Sequence, residues 1–220
     1  MIMLEAINLK FRYGISGFRI QGVSLTIEKG YVYALAGGNG AGKTTLLKLL
    51  YGALLPFTGK VLWKGSPLGA KTLAQFHREV AFTGGKWCDN HRTIAENAAF
   101  FKSLYPSFDD AYWESLLESM GLTEIAETVQ YGLLSEGEAR KADIAFALAR
   151  RPELLIMDEP LANLDPVIKT DITELLRDAV ARDNLTILMS SNLIDEIRGL
   201  ADFFGVINDG VLVCWGENSL

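Results

Sequence analysis

Cysteine and histidine are scarce in this chain of 220 residues. The two cysteines, Cys88 and Cys214, form neither a metal-ligand pattern nor a disulfide framework, and we expect both to be reduced thiols. The two histidines are His77 and His91, and neither follows the strand predicted at 185–189. The sequence therefore predicts neither a structural zinc site nor a small disulfide-stabilised domain.

Long apolar runs and an excess of positive charge are also missing. No stretch approaches the roughly 18 apolar residues that a membrane-spanning helix needs, and residues 1–5 do not have the pattern of a signal peptide. The formal net charge of −6 argues against a nucleic-acid partner. If the protein acts at a membrane, we expect another chain to provide the membrane part.

A glycine-rich stretch at residues 37–45 carries the strongest functional signal. It follows a strand-like apolar run at 31–36 and precedes a helix-like run at 46–51, the context that makes G-x-x-x-x-G-K-[ST] a phosphate-binding P-loop. Lys43 would reach the β- and γ-phosphates, and the Thr44 hydroxyl would ligate Mg²⁺. The residues expected to contact the nucleotide here are Gly37, Gly38, Asn39, Gly40, Ala41, Gly42, Lys43, Thr44 and Thr45.

The remaining patterns predict an α/β fold around this loop. Residues 2–30 and 58–65 alternate apolar and polar side chains, which indicates a half-exposed antiparallel sheet. Later strand-like runs alternate with helices, which predicts a parallel sheet with the P-loop at its carboxyl edge. The predicted later strands are 80–82, 154–157 and 185–189, the helices 73–78, 168–181 and 194–200, and the hairpin 203–214.

A block of helical periodicity at about 93–151 interrupts this alternation and is rich in aromatic residues. These side chains are expected either to pack a helical core or, where exposed, to form a docking patch. We interpret the block as an insertion between two halves of one nucleotide-binding core.

Two acids directly follow the apolar run at 154–157. In a P-loop enzyme, an acid at the end of a buried strand holds the metal ion, which predicts Asp158 as the Mg²⁺-side carboxylate. Glu159 is one residue further and points elsewhere, so it could accept a proton from an attacking water.

A third motif, Leu-Ser-Glu-Gly-Glu at residues 134–138, opens a predicted helix with Ser135 as its N-cap. It resembles the signature motif Leu-Ser-Gly-Gly-Gln of ABC-type ATPases. The other family motifs follow in the same order: the adenine-stacking aromatic at Tyr13, the Walker B strand ending in Asp158 and the catalytic Glu159, and the D-loop at residues 162–165.

The resemblance implies a RecA-like P-loop core with a mostly parallel sheet and an N-terminal antiparallel β subdomain (residues 1–85 and 152–220), and an inserted helical lobe (86–151). It also implies ATP and Mg²⁺ as ligands, and a head-to-tail homo- or heterodimer in which Ser135, Gly137 and Asp165 face the nucleotide. In transporters of this family the helical lobe docks on transmembrane permease subunits, which would place the chain in the cytoplasm, on the inner face of the cell membrane.

Three departures from the family pattern bear on catalysis. Residues 83–86 read Thr-Gly-Gly-Lys where a glutamine is usual, and Asn192 stands at the position of the switch histidine. Asparagine can donate a hydrogen bond to the γ-phosphate but cannot relay a proton. The signature carries Glu136 and Glu138 in place of glycine and glutamine, and these acids would repel an incoming γ-phosphate. We therefore expect slow rather than absent hydrolysis.

The favoured hypothesis is thus the ATPase subunit of a bacterial ABC transporter, with an exporter of antibiotics or peptides indicated by residues 104–109 and a haem exporter as the rival. A catalytically weak, regulatory subunit paired with an active homologue is the first alternative. A non-transport ABC ATPase acting on ribosomes or DNA is the second.

Overall fold

The computed structural model describes residues 1–15, 17–84, 88–193 and 197–218. Two sheets organise this part of the chain, one of four strands and one of six. The strands are β1 (Ile2–Arg12), β2 (Arg19–Glu28), β3 (Val32–Ala36), β4 (Thr58–Trp63), β5 (Ser66–Pro67), β6 (Val80–Thr83), β7 (Leu154–Met157), β8 (Thr186–Ser191), β9 (Phe203–Asn208) and β10 (Val211–Glu217).

The six-stranded sheet has the order β10-β9-β3-β8-β7-β6. Its neighbours from β9 to β6 run parallel, and β10 alone is antiparallel, because Asn208, Asp209 and Gly210 turn the chain back. The strands β3, β6, β7 and β8 are buried along their whole length, which is why their sequences are mostly apolar rather than alternating; the polar residues of β6 and β8 lie at the strand ends. The predicted parallel sheet is confirmed.

The four-stranded sheet has the order β2-β1-β4-β5 with antiparallel pairing. Along β2 the side chains alternate between buried and exposed positions, as the sequence predicted for a half-exposed sheet. The turn between β9 and β10 ties this sheet to the P-loop: the Gly210 carbonyl accepts from the Gln21 N–H at 2.9 Å, and the Gly210 N–H donates to the Ala41 carbonyl at 2.9 Å.

The helices flank the six-stranded sheet or lie between β6 and β7. They are α1 (Lys43–Leu50), α2 (Leu73–Glu79), α3 (Ile94–Leu104), α4 (Asp110–Ser119), α5 (Thr123–Ala126), α6 (Glu136–Ala149) and α7 (Pro166–Asp183). The helix predicted at 194–200 falls partly outside the described residues; within them, Ile197 and Arg198 are helical.

Aromatic side chains fill much of the core among α3, α4 and α6. Trp113 and Phe146 stack with ring centroids 4.9 Å apart, and Phe101 lies against Phe146 at 5.1 Å. Phe100, by contrast, is 49% exposed. Within the described ranges, no helix has the length and apolarity needed to cross a membrane.

Candidate nucleotide-binding site

The P-loop connects the carboxyl end of β3 to the N-terminus of α1, as the sequence predicted. Gly42 occupies the N-cap of α1 with φ 112°, a backbone conformation that residues with side chains rarely adopt. A Cβ at this position would also lie 2.6 Å from Cζ of Phe18. Only glycine therefore fits here, and the backbone N–H groups of the first turn of α1 face the carboxyl edge of the sheet.

Lys43 is almost completely buried, with 4% of its side chain exposed. Its ammonium group donates hydrogen bonds to the carbonyl oxygens of Gly37 at 2.8 Å and Gly38 at 3.2 Å, and it lies 3.1 Å from Oε1 of Glu159. The lysine thus spans the loop and pairs with the predicted catalytic carboxylate.

Asp158 contacts the P-loop through Thr44, the residue after Lys43. The Thr44 hydroxyl donates to its Oδ2 at 2.6 Å, and the Ser190 hydroxyl donates to its Oδ1 at 2.7 Å. Thr44 and Asp158, the two residues predicted to hold Mg²⁺, are therefore adjacent. Both present the oxygen ligands that this ion prefers, so the donor set fits the metal.

The Glu159 carboxylate pairs with Lys43, whereas the Asp158 carboxylate accepts from Thr44 and Ser190. Its backbone has φ 49°, a left-handed conformation that is uncommon for a non-glycine residue. Its N–H donates to the Ser190 hydroxyl at 3.0 Å, and its side chain is 34% exposed.

The place where the family carries a glutamine follows β6. Gly84 has φ 106°, and a Cβ there would lie 2.8 Å from the Cβ of Asp158, so the backbone approaches the acidic strand closely. Gly85 and Lys86 lie outside the described residues. The Thr83 hydroxyl is buried without a hydrogen-bond partner among the described residues.

Asn192 lies beside the P-loop, and Tyr13 follows the end of β1. The amide of Asn192 is 3.5 Å from Oδ1 of Asn39, a P-loop residue. Tyr13 is 45% exposed and meets Phe11 edge-on at 4.8 Å. An exposed ring at the end of β1 is available to stack on a base, and the adenine-binding role of Tyr13 remains a prediction.

Ser135 caps α6 in a complete capping box with Glu138. The Ser135 hydroxyl accepts from the Glu138 N–H at 3.2 Å, and the Glu138 carboxylate accepts from the Ser135 N–H at 2.8 Å. The Ser135 hydroxyl and N–H both hold the pKa of Glu138 below its usual value. Glu138 therefore supports the start of α6, a capping role that a glutamine at this position can also fill.

Gly137 of the signature motif and Asp165 of the D-loop lie where α6 and α7 begin. A Cβ on Gly137 would lie 2.4 Å from Cδ1 of Ile168, so α6 and α7 touch there. Asp165 is the N-cap of α7 and accepts from the N–H groups of Val167 and Ile168. Their predicted contact with the nucleotide of a second unit remains a prediction.

A cavity of about 500 Å³ joins the acidic strand end to α6. Thr44, Asp158 and Glu159 line one side, and Glu136 and Arg140 of α6 line the other. The sequence analysis did not single out Arg140. Arg140 is four residues after Glu136, and this spacing places both side chains on one face of α6, so the sequence alone could have placed Arg140 beside the signature motif.

The same cavity reaches a half-buried polar cluster that the motifs did not indicate. The Tyr131 hydroxyl donates to Oδ1 of Asp143 at 2.6 Å, and the Cys88 thiol lies 3.9 Å from the same oxygen. Burial raises the pKa of Asp143, and burial together with the Asp143 carboxylate raises the pKa values of Tyr131 and Cys88.

Comparisons with known proteins agree with this geometry. The family model described as "ABC transporter" matches residues 20–162. The ABC transporter ATP-binding protein YtrB of Bacillus subtilis is 31% identical over 88% of this chain and 65% of its own length. The lantibiotic transport ATP-binding protein SrtF of Streptococcus pyogenes is 30% identical over 96% of this chain and 89% of its own length.

A solved structure titled as the ATP binding subunit of an ABC transporter superposes with a TM-score of 0.87 and 25% identity, covering 98% of this chain and 90% of that one. The chain spans 65%, 59% and 49% of the lengths of the first three curated relatives. The matched family model covers more than half of the chain and includes the P-loop and the acidic strand end. The chain belongs to the ABC transporter family of ATP-binding proteins.

Proposed function

We propose that this chain is the subunit of an ABC transporter that binds and hydrolyses ATP and passes the resulting conformational change to separate transmembrane permease subunits. The observation that carries the proposal is the convergence of four side chains at one edge of the sheet: Lys43 and Thr44 from the P-loop, and Asp158 and Glu159 from the end of β7.

These four residues divide the chemistry between them. Lys43 and the P-loop amides stabilise negative charge on the β- and γ-phosphates, because they place positive charge and N–H donors at this edge of the sheet. Thr44 and Asp158 would hold Mg²⁺, which neutralises phosphate charge when bound. Glu159 orients and deprotonates the attacking water once a phosphate group has replaced it as the partner of Lys43.

The departures from the family pattern slow this reaction without abolishing it. Asn192 lies beside Asn39 and can donate an amide hydrogen bond to a phosphate, but it carries no titratable proton near neutral pH. Glu136 adds a negative charge to the cavity that Asp158 and Glu159 also line. Both changes weaken the attraction of the site for the γ-phosphate.

The assembly proposed is a dimer, either of two copies or with a homologous subunit, in which Ser135, Gly137 and Asp165 of one unit complete the site of the other. The dimer would work on the inner face of the cell membrane. The name of the SrtF relative, a lantibiotic transport protein, is compatible with a bacterial exporter. An exporter is the direction that we propose.

The test is steady-state Mg²⁺-dependent ATP hydrolysis by the purified chain, compared with Glu159→Gln and Asn192→His. We expect slow turnover in the wild type, a loss of at least about 100-fold in Glu159→Gln, and a gain in Asn192→His. Glu114→Gln on the surface of α4 is a matched control, because it removes an exposed carboxylate away from the site.

Two results would contradict the proposal. Turnover that Glu159→Gln does not reduce would remove Glu159 from the chemistry. ATP binding without turnover in any variant would favour the regulatory alternative, a nucleotide-binding half-site that needs an active homologue.

A further inference from the structure

Ser190 stands at the carboxyl end of β8, directly beside both catalytic acids. Its side chain is fully buried. The hydroxyl donates to Oδ1 of Asp158 at 2.7 Å and accepts the N–H of Glu159 at 3.0 Å. One oxygen atom thus joins the side chain of one acid to the backbone of the next.

The bond to Asp158 fixes the rotation of its carboxylate. Thr44 holds Oδ2 from the P-loop side, and Ser190 holds Oδ1 from the β8 side. Groups that hydrogen-bond to a metal-ligating carboxylate orient it, and their loss typically lowers metal affinity by about 10- to 100-fold.

The bond to Glu159 fixes an unfavourable backbone conformation. The left-handed φ of 49° at Glu159 costs energy for a residue with a side chain, and it persists where surrounding contacts hold it. The Ser190 hydroxyl supplies such a contact, so it also fixes the backbone position from which the Glu159 side chain extends.

We propose that Ser190 is a positioning residue that orients Asp158 for Mg²⁺ and Glu159 for water activation in the same subunit. This role rests on the proposed ATPase function and deepens it. It also links β8, the strand that precedes Asn192, to the two acids that follow β7, a connection that the P-loop, Walker B and signature motifs do not contain.

The neighbouring Ser191 provides a matched control. It is also buried in β8, with 6% exposure, but its hydroxyl donates to the carbonyl of Leu193 and accepts the Leu193 N–H. Ser190→Ala and Ser191→Ala each remove one hydroxyl from β8. Of these two hydroxyls, that of Ser190 hydrogen-bonds to Asp158 and Glu159, and that of Ser191 hydrogen-bonds to Leu193.

The experiment compares wild type, Ser190→Ala, Ser190→Thr and Ser191→Ala in the full chain. The affinity for a fluorescent ATP analogue is measured with EDTA and then over a range of Mg²⁺ concentrations, alongside the hydrolysis rate. Binding with EDTA depends on the P-loop and reports whether each variant is folded.

We expect Ser190→Ala to keep its EDTA affinity within about twofold, to need about tenfold more Mg²⁺ for half-saturation, and to lose at least about tenfold in kcat. Ser190→Thr keeps the hydroxyl and should recover most of both losses. Ser191→Ala should behave as the wild type.

Unchanged Mg²⁺ dependence in Ser190→Ala would overturn the role of Ser190, and so would an equal loss in Ser191→Ala. A wild-type chain that binds the analogue in neither condition would overturn the proposed function itself, so the two failures are distinguishable.

Discussion

The ion pair between Lys43 and Glu159 must open before Lys43 can bind a phosphate. We therefore predict that Glu159→Gln raises the affinity for ADP, even though it removes the group expected to catalyse hydrolysis. ADP without Mg²⁺ is the appropriate ligand, because it cannot be hydrolysed and its binding does not involve the metal site.

The size of this effect follows from the geometry of the pair. Two unit charges 3.1 Å apart attract by about 5 kcal/mol at the effective dielectric constant of a protein surface. Desolvation of the buried Lys43 and solvent screening of the one-third-exposed Glu159 offset most of this, which leaves about 1 kcal/mol. A gain of about 1 kcal/mol lowers the dissociation constant for ADP about fivefold.

Isothermal titration calorimetry in EDTA measures the dissociation constant for ADP directly. Glu136→Gln is the control, because Glu136 lines the same cavity but forms no ion pair with Lys43 in the described part of the chain. An equal gain in both variants would mean that general charge repulsion, and not the ion pair, limits binding. Unchanged or weaker binding by Glu159→Gln would refute the reasoning outright.

Two further predictions concern buried polar groups. Burial raises the pKa of Asp143 above its usual value of 3.8, so the ionised carboxylate destabilises the folded state, and Asp143→Asn should unfold at a higher urea concentration than the wild type at pH 7. This difference in stability should shrink as the pH falls and vanish below about 3.8. A difference that does not depend on pH would contradict the prediction. The Tyr112 hydroxyl is buried without a hydrogen-bond partner among the described residues, so Tyr112→Phe should leave the free energy of unfolding unchanged or raise it by up to about 1 kcal/mol. Tyr131→Phe loses the hydrogen bond to Asp143 and should lower the free energy of unfolding by about 1–2 kcal/mol. Thermal melts that show the same sign for both would be inconsistent with this account.

The sequence predicted most of the fold because its signals are local. The apolar runs at β3, β7 and β8 alternate with helical segments, which predicted buried parallel strands, and the turn at Asn208, Asp209 and Gly210 indicated the final hairpin. The proximity of Thr44 and Asp158 followed from the rule that the carboxyl ends of parallel strands meet at one edge.

What the sequence did not reveal depends on side-chain contacts between distant segments. The pairing of Lys43 with Glu159 joins residues 116 positions apart, and no periodicity encodes it. Ser190 was hidden because a serine at a strand end is common, and its partners become visible only when β7 and β8 are placed side by side. The Tyr131–Asp143 pair likewise needs the fold of the segment before α6.

The turn at Gly210 contacts both the antiparallel sheet and the P-loop. A Cβ at this position would lie 1.8 Å from the Arg19 carbonyl oxygen, so the turn sits directly on β2 while its N–H holds the P-loop at Ala41. The N–H and the carbonyl of one glycine thereby join the P-loop to the antiparallel sheet. A side chain at this single position would therefore disturb the edge of the antiparallel sheet and the P-loop together.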